Sequence, residues 1–476
     1  MGLFESQRRY YGKNGQDVAR TPDSGLKTLY ERVEAPRKTG SRLLDFFDCL
    51  KEWHEVFFLG IDKEMAKKTI ADIDVQGKKV LMRCDFNVPL DDDCNITSDD
   101  RIVKALPTIK KILEGGGSLI LMSHLGRPQG KKNEKLSLVP VAKRLSELLG
   151  REVIFADDCI GPETSAKAKA LKPGDCMLLE NLRFRKEETI KDKAAKEDAQ
   201  LRQAKDDFAK ELAGMADIYV DDAFGTAHRD NASMYTVPLM MEGKPRVIGF
   251  LVEKELKFLG EALSNPGRPF VAILGGAKVS DKIGVIENLI GKVDRIIIGG
   301  AMAYTFLKGR GKSIGKSLCE DDFIDKGQEL LKQAADANCE VILPVDHHVV
   351  RELKPGARHR VAVGDIDPGY QAVDIGPMAA KKFAKKITDA KTIVWNGPMG
   401  VFEIPPFDQG TKIIALAVAE ATDKGAISII GGGDSASAVN ILGLEDRISH
   451  ISTGGGASLE FLEGKKFKCL EILDEK

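Results

Sequence analysis

The sequence predicts an α/β protein: two doubly wound parallel-sheet domains joined by a hinge helix, behind an N-terminal extension. The first observation is a repeat. From about residue 66 onward, short runs rich in Val, Ile and Leu end in Gly- or Asp-containing turns, and a helix-like segment follows each. The second is that these runs are apolar throughout rather than alternating, as strands buried on both faces of a parallel sheet must be. The third is number. About five or six such units fall in each half of the chain, enough for two sheets with helical crossovers.

Residues 1–64 stand outside the repeat and form an N-terminal extension of unassigned role. Within them "SRLLDFFDCLKEWHEVFFLGI" (41–61) reads as an amphipathic helix with Leu43, Phe46, Phe47, Leu50, Trp53 and Phe57 on one side. Transit peptides are poor in acids, and this segment is not. Three readings stay open: an appended docking helix, a disordered tail, or an upstream start ahead of Met65. The first domain, 65–249, carries the runs "KKVLMRCDFN", "GSLILMSHLG", "EVIFADD", "CMLLENLRF" and "DIYVDDAFG". The boundary falls near "PRVIGFLVEKELKFLGEALSNPGRP", where "VEKELKFLGEAL" has helical spacing and Asn265, Pro266 and Gly267 close it. A helix between two α/β lobes is a hinge element. The second domain, 250–459, carries "PFVAILGG", "VDRIIIGG", "CEVILPVDH", "KTIVWNGP", "AISIIGGGD" and "ISHISTGG". Both domains are of the Rossmann-like, doubly wound type.

Composition narrows the function classes. The chain has 476 residues, of which 43% are apolar and 30% charged, with 71 basic against 72 acidic side chains. A balanced charge argues against a general nucleic-acid binder or a polybasic membrane-surface protein. No apolar run reaches the roughly 18 residues of a membrane span. The eight cysteines show no C-x-x-C, which fits free thiols in a reducing cytoplasm.

Ligands of open parallel sheets bind at the carboxyl ends of the strands. In the first domain those ends carry Arg83, Asp85, Asn87, His124, Arg127, Arg183, His228 and Arg229, with Arg101 just beyond the first turn. Any one of these arginines alone reads as a surface ion pair worth ~0–1 kcal/mol. Together at one rim they form a site for an anion, since guanidinium forks match carboxylate and phosphate oxygens. The second domain's rims are glycine-rich: "GGAKVSDK", "GGAMAYTF", "NGPMGVFE", "GGGDSASA" and "STGGGASLE". Glycines allow backbone N–H groups to approach phosphates closely. Lys278 and Lys282, four apart, fall on one face if that segment begins a helix. Asp434 is suited to holding Mg²⁺ against nucleotide phosphates, and Glu403 to accepting from ribose hydroxyls.

Two motifs mislead. The "HRD" of "DDAFGTAHRDNASMY" (221–235) suggests a protein-kinase catalytic loop, but the position five after Asp230 is Tyr235 instead of Asn. "GRGKSIGKS" (309–317) has Arg310 where a phosphate-binding loop needs its first Gly, and reads as a surface turn. A dehydrogenase is disfavoured because no G-x-G-x-x-G follows the first strand. One lobe with a cationic rim and one with glycine-lined turns together describe a phosphotransferase that closes on its substrates.

Eight stretches carry a family resemblance. "RCDFNVP", "SHLGRP", "LLENLRF", "DDAFGTAHR", "AILGGAKVSDKI", "VWNGPMGVFE", "GGGDSASA" and "STGGGASLE" resemble, in order, the signature set of phosphoglycerate kinases, between about Lys67 and Leu473. The resemblance implies reversible transfer of a phosphoryl group between ATP and 3-phosphoglycerate, giving ADP and 1,3-bisphosphoglycerate, with Mg²⁺, in the cytoplasm and as a monomer. It implies that Asp85, Asn87, Arg101, His124, Leu125, Gly126, Arg127, Arg183 and Arg229 hold the phosphoglycerate. Lys282, Gly300, Glu403, Gly432, Gly433, Asp434 and Ser435 would serve the nucleotide, with Asp434 toward the metal and Arg101, Lys278 and Lys282 catalytic. It also implies that the C-terminal segment, 460–476, packs on the first domain. Cys84, Ala301, Ser435 and Arg185 depart from the commoner Val, Gly, Thr and His at those positions.

Overall fold

The computed structural model describes residues 67–476. The amphipathic segment 41–61, Met65 and Cys49 lie outside the described residues. Strands β1 (Lys79–Cys84), β2 (Ser118–Met122), β3 (Val153–Ala156), β4 (Cys176–Leu179), β5 (Ile218–Asp222) and β6 (Arg246–Ile248) form one sheet in the order β3-β4-β2-β1-β5-β6. All its pairs are parallel. The second sheet has the order β15-β14-β13-β7-β8-β9 and is parallel as well. Its strands are β7 (Phe270–Leu274), β8 (Arg295–Ile298), β9 (Glu340–Ile342), β13 (Thr392–Asn396), β14 (Ile427–Gly431) and β15 (His450–Ile451). The uniform apolar runs have the expected cause: β2, β4, β7 and β13 are buried at every position, with helices on both faces.

One part of the fold departs from the sequence reading. "CEVILPVDH" is not one strand. Pro344, which has no N–H for a ladder, follows β9, and the chain turns into a separate antiparallel sheet. That sheet is β10 (Asp346–Val350), β11 (His359–Val363) and β12 (Gln371–Ile375), in the order β11-β10-β12. Strand β11 is largely exposed, so it lacks the apolar signature used to find the others.

The helices that matter for the site are α1 (Asp100–Glu114), α2 (Phe250–Ser264), α3 (Ile283–Leu289), α4 (Gln409–Asp423), α5 (Gly433–Ile441) and α6 (Gly456–Leu462). Helix α2 is the connection between the sheets. It starts two residues after the end of β6, and Asn265 caps its end five residues before β7. Asp222, the last residue of β5, fixes its entry: Oδ1 accepts from Leu251 N at 2.9 Å and from Val252 N at 3.3 Å. A carboxylate at a helix N-terminus satisfies N–H groups that have no partner inside the helix. Gly249 is required there, because a Cβ would sit 2.2 Å from Asp222 Oδ1.

The chain end returns to the first sheet. Lys68 N donates to Asp474 O at 2.8 Å, Asp474 N to Arg246 O at 2.8 Å, and Cys469 Sγ to Ala227 O at 2.7 Å. Phe224, just after β5, meets Phe461 and Phe467 with ring centroids 6.2 and 6.1 Å apart. Such aromatic contacts add ~0.5–1.5 kcal/mol each beyond burial. Cys84, Cys94, Cys159, Cys176, Cys319, Cys339 and Cys469 are free thiols. No helix among the described residues is long and apolar enough to cross a membrane. The "GRGKSIGKS" segment is a turn closing the helix that ends at Gly309, with no strand leading into it.

Candidate active site

The first cluster is built on the loops after β1, β2, β4 and β5. Asp85, one residue past β1, forms an ion pair with Arg101 in the first turn of α1. Asn87 Oδ1 accepts from Gly126 N at 2.8 Å, and Arg183 Nη1 donates to Gly126 O at 2.8 Å. Leu125 O accepts from Asn181 Nδ2 at 2.7 Å. The loop 123–126 is thus held by side chains from two neighbouring strand ends. Arg229 Nε lies 3.2 Å from His228 Nε2.

These groups share one field. Burial pulls the Arg183 guanidinium down to about 10, and Arg83 and Arg229 nearby add to the effect. Arg183 Nε is sealed from solvent without a partner, as is His228 Nδ1. Burial pushes His124 well below the ordinary histidine value, Asp85 opposes that, and Arg83, Arg183 and Arg229 reinforce it. Asp85 is held below the ordinary carboxylate value: burial raises it, but Arg101, His124 and Arg83 outweigh burial. So much positive charge at low dielectric favours an anionic ligand.

Two expected members sit differently. Arg83 is fully buried within the sheet, so it is not a rim residue. Arg127 is exposed on its loop. Asp230 of the "HRD" triplet accepts from Asp192 N at 2.8 Å and is a turn anchor.

The second cluster is a cavity of ≈ 650 Å³ walled by Gly275, Gly276, Lys278, Lys282, Asn396 and the 432–435 turn. At two positions, one on its wall and one behind it, only glycine fits. A Cβ at Gly275 would lie 2.1 Å from Pro398 O, and one at Gly300 would lie 2.5 Å from Gly276 N. Gly300 therefore packs behind the wall, in contact with Gly276. Gly432, at φ +91°, turns the chain into α5, and Gly433 and Asp434 open that helix on the cavity. The first N–H groups of such a helix lack intrahelical partners and suit an anion. Ser435 is buried and spends its hydroxyl on the protein, accepting from Gly397 N at 2.7 Å.

The two lysines are not on one helical face. Helix α3 begins only at Ile283, so Lys278 and Lys282 belong to the turn before it, yet both line the cavity. Lys278 is exposed. Lys282 is buried, donates to Asn396 Oδ1, and burial lowers it to about 8 against the pull of Asp281, Asp434 and Glu463. Glu403 is exposed on the loop leading to α4 and is not among the cavity's lining residues.

Glu463 and Lys465, which sequence reading left out, line this same cavity. Lys465 also lines a neighbouring cavity that holds His228 and Arg229. It pairs with Glu463 at 2.6 Å. No periodicity or motif marked it, because its position depends on where the chain end returns. The carboxyl ends of the two sheets meet beside it. A Cβ at Gly225 would lie 2.6 Å from Asp85 Oδ2 and 3.4 Å from Thr453 O, and one at Gly454 would lie 2.7 Å from the Phe224 ring.

The family model described as "Phosphoglycerate kinase" matches residues 70–465. The chain belongs to the phosphoglycerate kinase family. As a member, it is an enzyme, a phosphotransferase with a carboxyl group as acceptor. It is 55% identical over 416 residues to the phosphoglycerate kinase of Chlorobium phaeobacteroides, covering 86% of this chain and 100% of that one. Against the phosphoglycerate kinase of Rhodopirellula baltica it is 54% identical over 415 residues, with 86% and 100% covered. The solved phosphoglycerate kinase of Coxiella burnetii superposes with a TM-score of 0.74 at 42% identity, over 85% of this chain and 98% of that one. Two parallel-sheet α/β domains are thus the phosphoglycerate kinase fold.

Proposed function

We propose that this phosphoglycerate kinase family member reversibly transfers the terminal phosphoryl group of ATP to the carboxylate of 3-phosphoglycerate. The products are ADP and 1,3-bisphosphoglycerate, and the step serves glycolysis and gluconeogenesis in the cytoplasm. The observation that carries this reading is that the loops of the two rims adjoin: a Cβ at Gly225 would lie 2.6 Å from Asp85 Oδ2 and 3.4 Å from Thr453 O, on the loop after the last strand of the second sheet. Two anion sites on adjoining rims suit a direct transfer from one ligand to the other.

The phosphoglycerate, with its phosphate and carboxylate, is assigned to Asp85, Asn87, Arg101, His124, Arg183 and Arg229, with Leu125 and Gly126 shaping the loop and Arg127 at the edge. The nucleotide is assigned to the glycine-lined cavity, with Lys278, Lys282 and the N-terminal turn of α5 against its phosphates. Glu403 joins the nucleotide site only if its loop moves toward the cavity. The acceptor carboxylate is already ionised at neutral pH, so no general base is required. Catalysis rests on positioning and on cancelling charge at the moving phosphoryl group, through Lys282 from one lobe and Arg101 from the other.

Mg²⁺ fits the donor set as an ion carried by the nucleotide. Asp434 offers one exposed carboxylate at the cavity, and Mg²⁺ is commonly held by one or two carboxylates together with substrate phosphates. There it would neutralise charge on the phosphate oxygens. Assay of ATP-dependent 1,3-bisphosphoglycerate formation, coupled to its reduction, tests the reading. Absence of turnover with 3-phosphoglycerate in the intact protein refutes it.

A further inference from the structure

Arg83 belongs to no surface, yet it touches His124, a nearly buried member of the candidate site. It lies on β1 and is 0% exposed. Its Nε donates to Ser233 Oγ at 3.0 Å, and that hydroxyl donates in turn to the buried Glu188 Oε1 at 2.8 Å. Its Nη1 donates to the Cys84 carbonyl. Its Nη2 lies 3.2 Å from His124 Nδ1.

A guanidinium has five N–H donors, no acceptor, and does not lose its proton in proteins. A hydrogen bond across that 3.2 Å therefore needs an Nδ1 with a free lone pair. The remaining proton of a neutral imidazole must then sit on Nε2. Asp85 Oδ1 is 3.9 Å from the same Nδ1, too far to claim a proton there. Nε2 is not among the polar atoms sealed without a partner, so it keeps access to the site.

We infer that Arg83 is a positioning residue that fixes His124 as the neutral Nε2–H tautomer, so that His124 gives the ligand a directed hydrogen bond rather than a positive charge. Protonating the ring would turn Nδ1–H toward Arg83 N–H, setting donor against donor and charge against charge. Arg183 and Arg229 oppose it from the loops after β4 and β5, and Asp85 alone favours it from the loop after β1. The cationic rim thus contains a neutral histidine whose contribution is direction. Which ligand oxygen receives the bond rests on the function proposed above, where it belongs to phosphoglycerate. The tautomer itself does not depend on that reading.

The test is long-range ¹H–¹⁵N correlation on the full-length protein, with the His124 signals identified by their loss in His124→Gln. The expected spectrum has an unprotonated Nδ1 and a protonated Nε2, unchanged between about pH 5 and 8. A protonated Nδ1, or titration of His124 inside that window, overturns the inference. Arg83→Gln supplies the functional arm, because an amide can accept as well as donate. In that variant the KM for 3-phosphoglycerate should rise about tenfold and vary with pH, while the KM for ATP stays within about twofold of the parent. An unaltered, pH-independent KM for 3-phosphoglycerate rejects the positioning role. If the parent protein fails to turn over 3-phosphoglycerate at all, the proposed function falls, and the spectrum still decides the tautomer.

Discussion

Glu255, on the helix between the sheets, accepts a 2.8 Å hydrogen bond from His450 Nε2 on the last strand of the second sheet. Its other oxygen accepts from Thr453 N at 2.7 Å and Thr453 Oγ1 at 3.0 Å. One buried carboxylate therefore locks the hinge helix to the loop that leads into Gly454–Gly456. Burial pushes the Glu255 carboxyl up, but the bonds from His450, Ser452 and Thr453 outweigh it and hold the pKa below the ordinary glutamate value. Glu255→Ala should cost about 3 kcal/mol in urea unfolding, because buried donors lose their acceptor. A group with a depressed folded pKa stabilises above its unfolded value and ceases to do so as pH falls through the folded one. The gap between parent and variant should then be constant above about pH 5 and shrink below about 4.5. A gap that widens in acid would contradict the assignment.

Lys282 gives a kinetic prediction. With its pKa at about 8, the free enzyme loses this charge as pH rises through that value. The kcat/KM for ATP should fall on the alkaline side of about pH 8, and Lys282→Arg should lack that limb whatever its absolute rate. Lys282→Ala should lose roughly 10²–10³ in kcat, the scale of removing one charge-stabilising donor. A Lys282→Ala enzyme with near-parental kcat would remove the residue from the mechanism.

Asp222 runs the other way. Burial raises its carboxyl to about 7, and Oδ2 is sealed without a partner while Oδ1 caps the hinge helix. A raised folded pKa gives stability that is complete below the unfolded value of 3.8 and is lost as pH climbs through about 7. Asp222→Asn keeps the capping oxygen and removes the titration. Relative to the parent, the variant should gain stability between about pH 4 and 7, with a slope approaching about 1.4 kcal/mol per pH unit, and level off above. Parallel denaturation curves across that range would refute it.

Arg183 and Arg185 are two residues apart and predict opposite outcomes. Arg185 pairs with Asp158 on the surface, both side chains 41% exposed, and Arg185→Ala should cost under about 1 kcal/mol with unchanged kinetics. Arg183 is buried among like charges with an unsatisfied Nε. Arg183→Ala should raise the KM for 3-phosphoglycerate about tenfold or more. Equal effects from the two variants would mean that charge alone, and not placement, matters.

The parallel strands were legible because strands buried on both faces have to be apolar at every position, and the strand ends then named Asp85, His124, Arg183 and Asp434 without coordinates. Strand β11 was not legible, since "HRVAV" is largely exposed and carries no such run. Local spacing also misplaced Lys278 and Lys282 on a helix that starts only at Ile283.

By itself, the sequence determined the two-sheet α/β class, the hinge helix and the cationic and glycine-rich rims, because each is written in contiguous residues. Tertiary structure alone decided that Arg83 is interior, that Ser435 is committed to Gly397, that Glu403 stands off the cavity and that Lys465 lines both the glycine-rich cavity and the one beside His228. Each of these depends on contacts between residues far apart along the chain, where burial and partner, not residue type, set what a charge can do.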